Sequence, residues 1–222
     1  LALGFNNLIF DHPRLPQAVK DEIRAYCFTH HGSERKPDQT EADGQDRGGQ
    51  RQPGDWGGVV VLGKAPTNSP TTRQVEGGFG TIANTDAQFG GSDPLDNSGI
   101  LSYVRIEYAG IAFSANNEIN GLTMGGVGAG TQIDHIQVSY ANDDSYEWFG
   151  GSVNCKYLIA WRGLDDELDT DNGFSGKVQF AFCKRDKNYF DFIAGGQSNG
   201  FESDNEATAP YLTAPYTKPT FV

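Results

Sequence analysis

The sequence predicts an all-β protein, a right-handed single-stranded parallel β-helix of about 22 residues per rung. Three observations carry the prediction. The Asp143-Asp144 pair and the Asp165-Asp166 pair are 22 residues apart, and the same step links Ile136, Leu158 and Phe180. It also links Val138, Ala160 and Phe182, then Tyr146, Leu168 and Phe190, then Glu147, Asp169 and Asp191. A fixed period in the twenties, with apolar on apolar and acid on acid, marks a solenoid. Within each period the apolar residues alternate, which is the period of a strand and not of a helix. Glycines recur at the corners, as in the series Gly151, Gly173 and Gly195. Leucine-rich repeats share this repeat length, but their LxxLxL pattern is absent. Parallel crossovers within one sheet are nearly always right-handed, which sets the predicted hand.

The elements follow in chain order. Residues 1–53 stand outside the repeat. Leu8-Ile9-Phe10 reads as a short strand. Pro16 to Cys27 reads as a short amphipathic helix, with Val19, Ile23 and Tyr26 on one face and Pro16 in the first turn. Residues 33–55 are polar and read as a loop, so the segment is a cap or an assembly arm. The β-helix domain is assigned to 54–222. Val59 to Leu62 is a strand bounded by glycines, and 64–98 is a turn-rich excursion. From Ile100 the pattern is regular: Val104-Ile106-Tyr108, then Ile119 to Met124, Ile136-Val138-Tyr140, Leu158-Ala160 and Val178-Phe180-Phe182. Shorter strands follow in SYEWFGG, ELDTDNG and NYFDFIAGG.

Composition bounds the function. The formal net charge is −12 and the pI about 4.6, so nucleic-acid phosphates and anionic membranes are disfavoured partners. Divalent cations, basic partners and neutral glycans remain. No apolar run reaches membrane-spanning length. Cys27, Cys155 and Cys183 form no CxxC pair and read as structural thiols, and the step from Cys155 to Cys183 falls outside the repeat.

Three kinds of chemistry are open. Stacked rungs lie about 4.8 Å apart, so Asp143, Asp144, Glu147, Asp165, Asp166, Asp169 and Asp171 form acidic columns that repel unless something offsets them. Calcium, with its taste for six to eight oxygens, is one way. Raised carboxyl pKa values and basic pairing are others, with Lys187 expected in the column of Asp143 and Asp165 and Arg162 expected against Asp165 or Asp166. DTDNG resembles a fragment of a calcium loop but closes neither an EF-hand nor an RTX repeat. The same carboxylates, with Asp165, Asp166 and Asp169 foremost, would serve glycan hydrolysis or lysis. Thirdly, Tyr103, His135, Tyr157 and Trp161 fall on the outer side of the long strands, as in a sugar-binding platform, unless the 64–98 excursion covers them. No Ser-His-Asp triad or phosphate loop is recognisable.

The motifs GDWGGVVVLGKAP (54–66), DNSGILSYVRIEYAGIAF (96–113), NEINGLTMGGVGAGTQIDHIQVSYANDDSYEWFGG (117–151), LIAWRGLDDELDTDNGFSGKVQF (158–180) and SNGFESDNEAT (198–208) resemble a family of secreted or surface β-helix proteins widespread in Bacteroidetes and related bacteria. The resemblance implies the β-helix and an extracellular or cell-surface location, and brings no catalytic residues with it. Residues 1–50 depart from the family pattern of glycine-rich rungs, and the family usually continues into further rungs after the position of Val222. The expected function is a non-catalytic scaffold for assembly, adhesion or glycan contact. In head-to-tail assembly, Phe5, Leu8, Ile9 and Phe10 of one copy would meet Phe221 and Val222 of the next. A polysaccharide-active enzyme and a calcium-stabilised glycan-binding module are the alternatives.

Overall fold

A computed structural model describes residues 51–69, 72–77, 85–114, 117–190, 198–206 and 213–222. The predicted strand and helix of residues 1–50, with Phe5, Leu8, Ile9 and Phe10, lie outside these, as do Asp191 and Gly195.

Two five-stranded parallel sheets face one another across a common core. One holds the eight-residue strands β4 (Ile100–Glu107), β8 (Gln132–Ser139), β10 (Asn154–Trp161) and β12 (Lys177–Lys184), with β14 (Thr220–Phe221) at its edge. The other holds β1 (Val59–Leu62), β7 (Leu122–Gly125), β9 (Tyr146–Phe149), β11 (Leu168–Asp171) and β13 (Glu202–Ser203). The chain alternates between sheets, one long strand and one short strand per turn, as the sequence predicts. No described residue is in an α-helix. Two antiparallel pairs sit beside the sheets: β2 (Arg73–Gln74) with β3 (Gln88–Phe89), and β5 (Ala112–Ser114) with β6 (Asn117–Glu118). A 3-10 turn, Thr85–Ala87, precedes β3.

The long strands share one local device. Their fourth residue, Tyr103, His135, Tyr157 or Phe180, has φ between 52° and 62°. The left-handed region costs a non-glycine residue about 1–2 kcal/mol. It also resets the pleat, so the inward positions become the second, fifth and seventh. Ile133, Ile136 and Val138 of β8 are buried accordingly, as are Cys155, Leu158 and Ala160 of β10. The turned-out rings stack on one another along the sheet, and each such pair returns about 0.5–1.5 kcal/mol. Strain and stacking thus offset each other.

The opposing short strands complete the core with Leu122, Met124, Tyr146, Trp148 and Leu168, and Phe174 closes it beyond β11. The Tyr146 hydroxyl, fully buried, lies 2.9 Å from the Ile136 carbonyl and 3.0 Å from that of Ile159, so its one hydrogen is satisfied within the sheet. Where the backbone enters β1, Gly58 has φ 138°, and a Cβ there would stand 2.1 Å from the Asn120 carbonyl oxygen. Only glycine allows these rungs to approach so closely.

The register corrects part of the 22-residue reading. From β8 to β10 the step is 22, Ile136 on Leu158 and Val138 on Ala160. From β10 to β12 it is 23, so Leu158 meets Ala181 and Ala160 meets Cys183. Phe180 therefore belongs to the outward column of Tyr157, and Phe182 neighbours Ile159. The cause is one extra residue in the corner preceding β12, which a fixed stride cannot see. Cys155 pairs with Val178 and not with Cys183, as expected from their spacing. In the short-strand sheet, Tyr146 meets Leu168 and Glu147 meets Asp169 at the predicted step of 22. The next partner of Asp169 is Glu202, not Asp191, and Phe190 does not continue the column of Tyr146 and Leu168.

Candidate functional site

The outer face of the short-strand sheet carries the acids. Thr123, Glu147, Asp169 and Glu202 stand in one register column, with Val60 before them. A second column runs Leu62, Gly125, Phe149 and Asp171. The 64–98 excursion covers part of this face: Val75, Ala87 and Phe89 pack on Phe149, Val60 and Leu62. The described part of the excursion thus protects an apolar end of the acidic face.

At the corner before β9, Asp144 is 8 % exposed and turns toward this face. Its Oδ1 accepts the backbone N–H of Asp166 at 2.9 Å, which locks two rungs together as the 22-residue spacing implies. Carboxylate oxygens of Asp144, Glu147 and Asp169 all lie within 4.8 Å of one another, as do those of Asp143, Asp144 and Asp165. Asn120, 2 % exposed, donates its Nδ2 to Glu147 Oε2 and, at 3.2 Å, to the Thr123 hydroxyl. The remaining expected ligands stand apart from both groups. Asp166 accepts the backbone N–H of Asn199 and shares a side-chain hydrogen bond with Glu202. Asp171 accepts the Asn172 N–H at 2.5 Å and the Asn172 side-chain amide at 2.6 Å, capping the turn that follows β11.

Burial dominates the electrostatics. Desolvation, then repulsion from Glu118 and Asp165, pushes Asp143 up to about 8. Desolvation pushes Asp169 to about 7, with Glu202 and Asp171 adding repulsion. Asp166 rises to about 9 and Glu76, on the excursion, to about 7, each chiefly through burial. Asp144 and Glu147 move in the same direction for the same reason. Uncompensated carboxylates leave the charged form disfavoured.

Basic pairing operates elsewhere. Arg185 donates to the carbonyls of Asp165 (2.5 Å), Asn199 (2.8 Å) and Leu164 (3.2 Å) and meets the fully buried Glu167 at 3.3 Å. Glu167 also accepts the Ser145 hydroxyl at 2.9 Å. The guanidinium occupies the role expected for Lys187, because the corner of Asp165 and Asp166 is continued by Asn199 and not by residue 187. Arg162 lies 3.5 Å from Asp186 and not against Asp165 or Asp166.

On the long-strand sheet, Tyr103, His135 and Tyr157 come together as expected and Phe180 extends the row. Their centroids are 4.3, 4.5 and 4.9 Å apart in turn, nearly parallel. Neighbouring rings cover one another's faces, so the row presents mainly edges to solvent. His135 Nδ1 lies 2.7 Å from Asp134 Oδ1. Trp161 stands at the far end of β10, with the Arg162 guanidinium 5.9 Å from its ring. Tyr108 and Tyr140 form a second stacked pair at 5.0 Å. Sequence reasoning missed Phe180, Asn120, Glu76, Glu202 and the Arg185–Glu167 pair. Phe180 was within reach, since it shares the fourth place of its strand. Glu167 sits inside the repeat, 22 residues after Ser145, while the rest come from segments outside the repeat or from strands too short to show a period.

No curated protein and no solved structure matches the chain. A family profile described as a pectate-lyase-like beta-helix domain matches residues 46–222, the same span that builds the two parallel sheets and the acidic face. With most of its length so matched, the chain belongs to the family of pectate-lyase-like beta-helix domains.

Proposed function

We propose that the protein is an extracellular or cell-surface module that contacts polysaccharide with the acidic outer face of its short-strand sheet and does not cleave it. The observation that carries this reading is the register column Glu147–Asp169–Glu202, which passes from half-buried to exposed, with exposed Asp204 beside its outer end. Carboxylates repeated at the rung spacing can accept hydrogen bonds from successive hydroxyls of an extended sugar chain. The family's polysaccharide association supports contact with polysaccharide and leaves cleavage to the assays below. The solenoid is read as winding right-handed, one long and one short strand per turn. Calorimetry against neutral and acidic polysaccharides checks the proposal. Binding should weaken at least tenfold in a Glu202→Gln, Asp204→Asn double variant, both residues being exposed. Equal binding by the variant, or no binding to any glycan tested, overturns it.

A hydrolase is the second reading, favoured by Asp166 near 9 and Asp169 near 7, carboxyls able to hold a proton at neutral pH. Release of reducing sugar in the same assays, lost in Asp169→Asn, would put this reading first.

End-to-end association extends the scaffold reading. Ala181 and Cys183 of β12 occupy inward register positions yet are exposed, and β14 pairs only with Lys177 and Val178. Phe221 and Val222 are exposed beside this edge. Light scattering after chromatography should show mass rising with concentration, and Phe182→Glu should suppress the rise. A mass fixed at that of one chain up to millimolar concentration would dismiss the association.

A further inference from the structure

We propose that the outer face of the long-strand sheet is a contact surface for a second copy of this chain, packed sheet on sheet about a two-fold axis parallel to the strands and midway between β8 and β10. The inference does not depend on glycan contact, since the acidic face lies on the other side of the core.

The face is apolar at its centre. The ring row of Tyr103, His135, Tyr157 and Phe180 crosses all four long strands. Beside it runs the register column Arg105, Gln137, Ile159 and Phe182. Tyr103 is 77 % exposed, Phe180 53 % and Phe182 55 %, and Ile100 and Ile159 are exposed with them. A contiguous exposed patch of large apolar side chains marks a contact surface.

The charges on the face are mixed, although the whole chain carries −12. The four strands hold Arg105, Lys156, Lys177 and Lys184, with Glu107 and Asp134 as their acids. Among the described residues Lys156, Lys177 and Lys184 form no ion pair within the chain. Asp134 is fixed by the Ser102 hydroxyl, by Gln132 Nε2 at 2.7 Å and by His135 Nδ1 at 2.7 Å. Its carboxylate is therefore set in place before any partner arrives, which lowers the cost of association.

Self-complementarity names the partner. A two-fold axis along the strands lays β4 of one copy on β12 of the other and β8 on β10, all running the same way. Residues at equal height along the strands then meet. Asp134 faces the partner's Lys156 near the axis, and Glu107 faces the partner's Lys184 at the rim. His135 meets the partner's Tyr157, Tyr103 the partner's Phe180, and Arg105 the partner's Phe182. Symmetry makes each contact twice, and no like charges oppose one another. The other two-fold axis in this plane, across the strands, would set Lys177 against the partner's Lys184 and is disfavoured. At about 3.3 Å per residue and 4.8 Å per strand, eight residues by four strands give roughly 500 Å² a side. A total of about 1,000 Å² stands at the lower limit for specific association, so the dimer is a reversible one.

The test uses the full chain in sedimentation equilibrium. Lys156→Glu sets an acid against the partner's Asp134 and should weaken pairing at least tenfold. Asp134→Lys sets a cation against the partner's Lys156 and should do the same. An equimolar mixture of the two variants restores both opposite-charge pairs and should associate within about threefold of the unmodified protein. End-to-end contact at β12 and β14 is not rescued in this way, so the two associations are separable. Unmodified protein, half of it isotope-labelled, gives a readout that needs no variant to fold. Carbodiimide should join Lys184 to Glu107 in peptides of mixed mass. A mixture that pairs no better than either variant alone overturns the proposal, as does the lack of any mixed-mass Lys184–Glu107 link. A chain that stays single while added polysaccharide shields Lys156 from acetylation would assign the face to a glycan and also overturn it.

Discussion

Trp148→Ala should destabilise the protein by about 3–5 kcal/mol, the largest loss expected from a single side chain. Trp148 is fully buried at the centre of β9, and it is packed against Tyr146 at 5.9 Å and Phe174 at 5.5 Å. Its register neighbours are Met124 and Thr170, so it fills the middle rungs of the stack. The hole cannot collapse easily, because β9 is hydrogen-bonded to a strand on each side and neither can shift alone. Each rung touches mainly its neighbours, so a weakened middle rung should also loosen the coupling between the two ends and broaden the transition. Urea denaturation followed by circular dichroism measures both effects. Trp148→Phe, which keeps a ring in place, should recover more than half of the loss. A cost below about 1 kcal/mol for Trp148→Ala would mean that the two sheets do not share the core described above.

The chelator-treated protein should lose stability as pH rises from about 4 to 9, the reverse of the usual acid denaturation. Asp143, Asp166, Asp169 and Glu76 hold their protons to about 8, 9, 7 and 7 when folded, and burial is the first cause at each. Asp144 and Glu147 are displaced the same way. In the unfolded chain these carboxyls ionise near pH 4. Between the two limits the native state binds more protons than the unfolded state, so the free energy of unfolding falls with each step in pH. Below about pH 4 both states are protonated and the effect vanishes. Above about pH 9 the loss is complete. Solvent at Glu202 and Asp204 and mutual relaxation of the cluster hold the total to several kcal/mol, on the order of 2–5. Arg73, which faces Asp171, and Arg185, which faces Glu167, act only at the margins. Melting temperatures across this range are the measurement. A flat profile, or one rising toward neutral pH without added metal, would show that the carboxylates are compensated within the chain.

Much of the architecture was legible in the sequence because the forces behind it are local or periodic. Alternation of Ile136, Val138, Leu158 and Ala160 betrays a strand with one face in the core, and the acid pairs at 143–144 and 165–166 betray the rung. Both survive in the structure as register pairs and as the Asp166-to-Asp144 hydrogen bond. The stride failed at β12, where one added corner residue moved Ala181 under Leu158 and sent Phe180 outward. The left-handed fourth residue was also invisible, since Tyr, His and Phe do not announce a positive φ. The stacking of their rings on neighbouring strands works against that strain.

The candidate site was legible in part. Glu147 over Asp169 follows from the period, and so does the proximity of Asp144 to Asp166. Glu202 entered the column from a two-residue strand 33 positions beyond Asp169, and Glu76 from the covering excursion. Asn120 lies just before β7, where its sequence context suggests a turn and nothing more. By itself, then, the sequence determined the solenoid, the inward residues of its regular rungs and the stacking of its acids, because a repeating burial pattern is written in residue spacing. Tertiary structure alone decided which carboxylates lose their solvent, which amide oxygen is left without a donor and which face the excursion covers. Those properties depend on segments far apart in the chain meeting at one place, and no local pattern encodes that meeting.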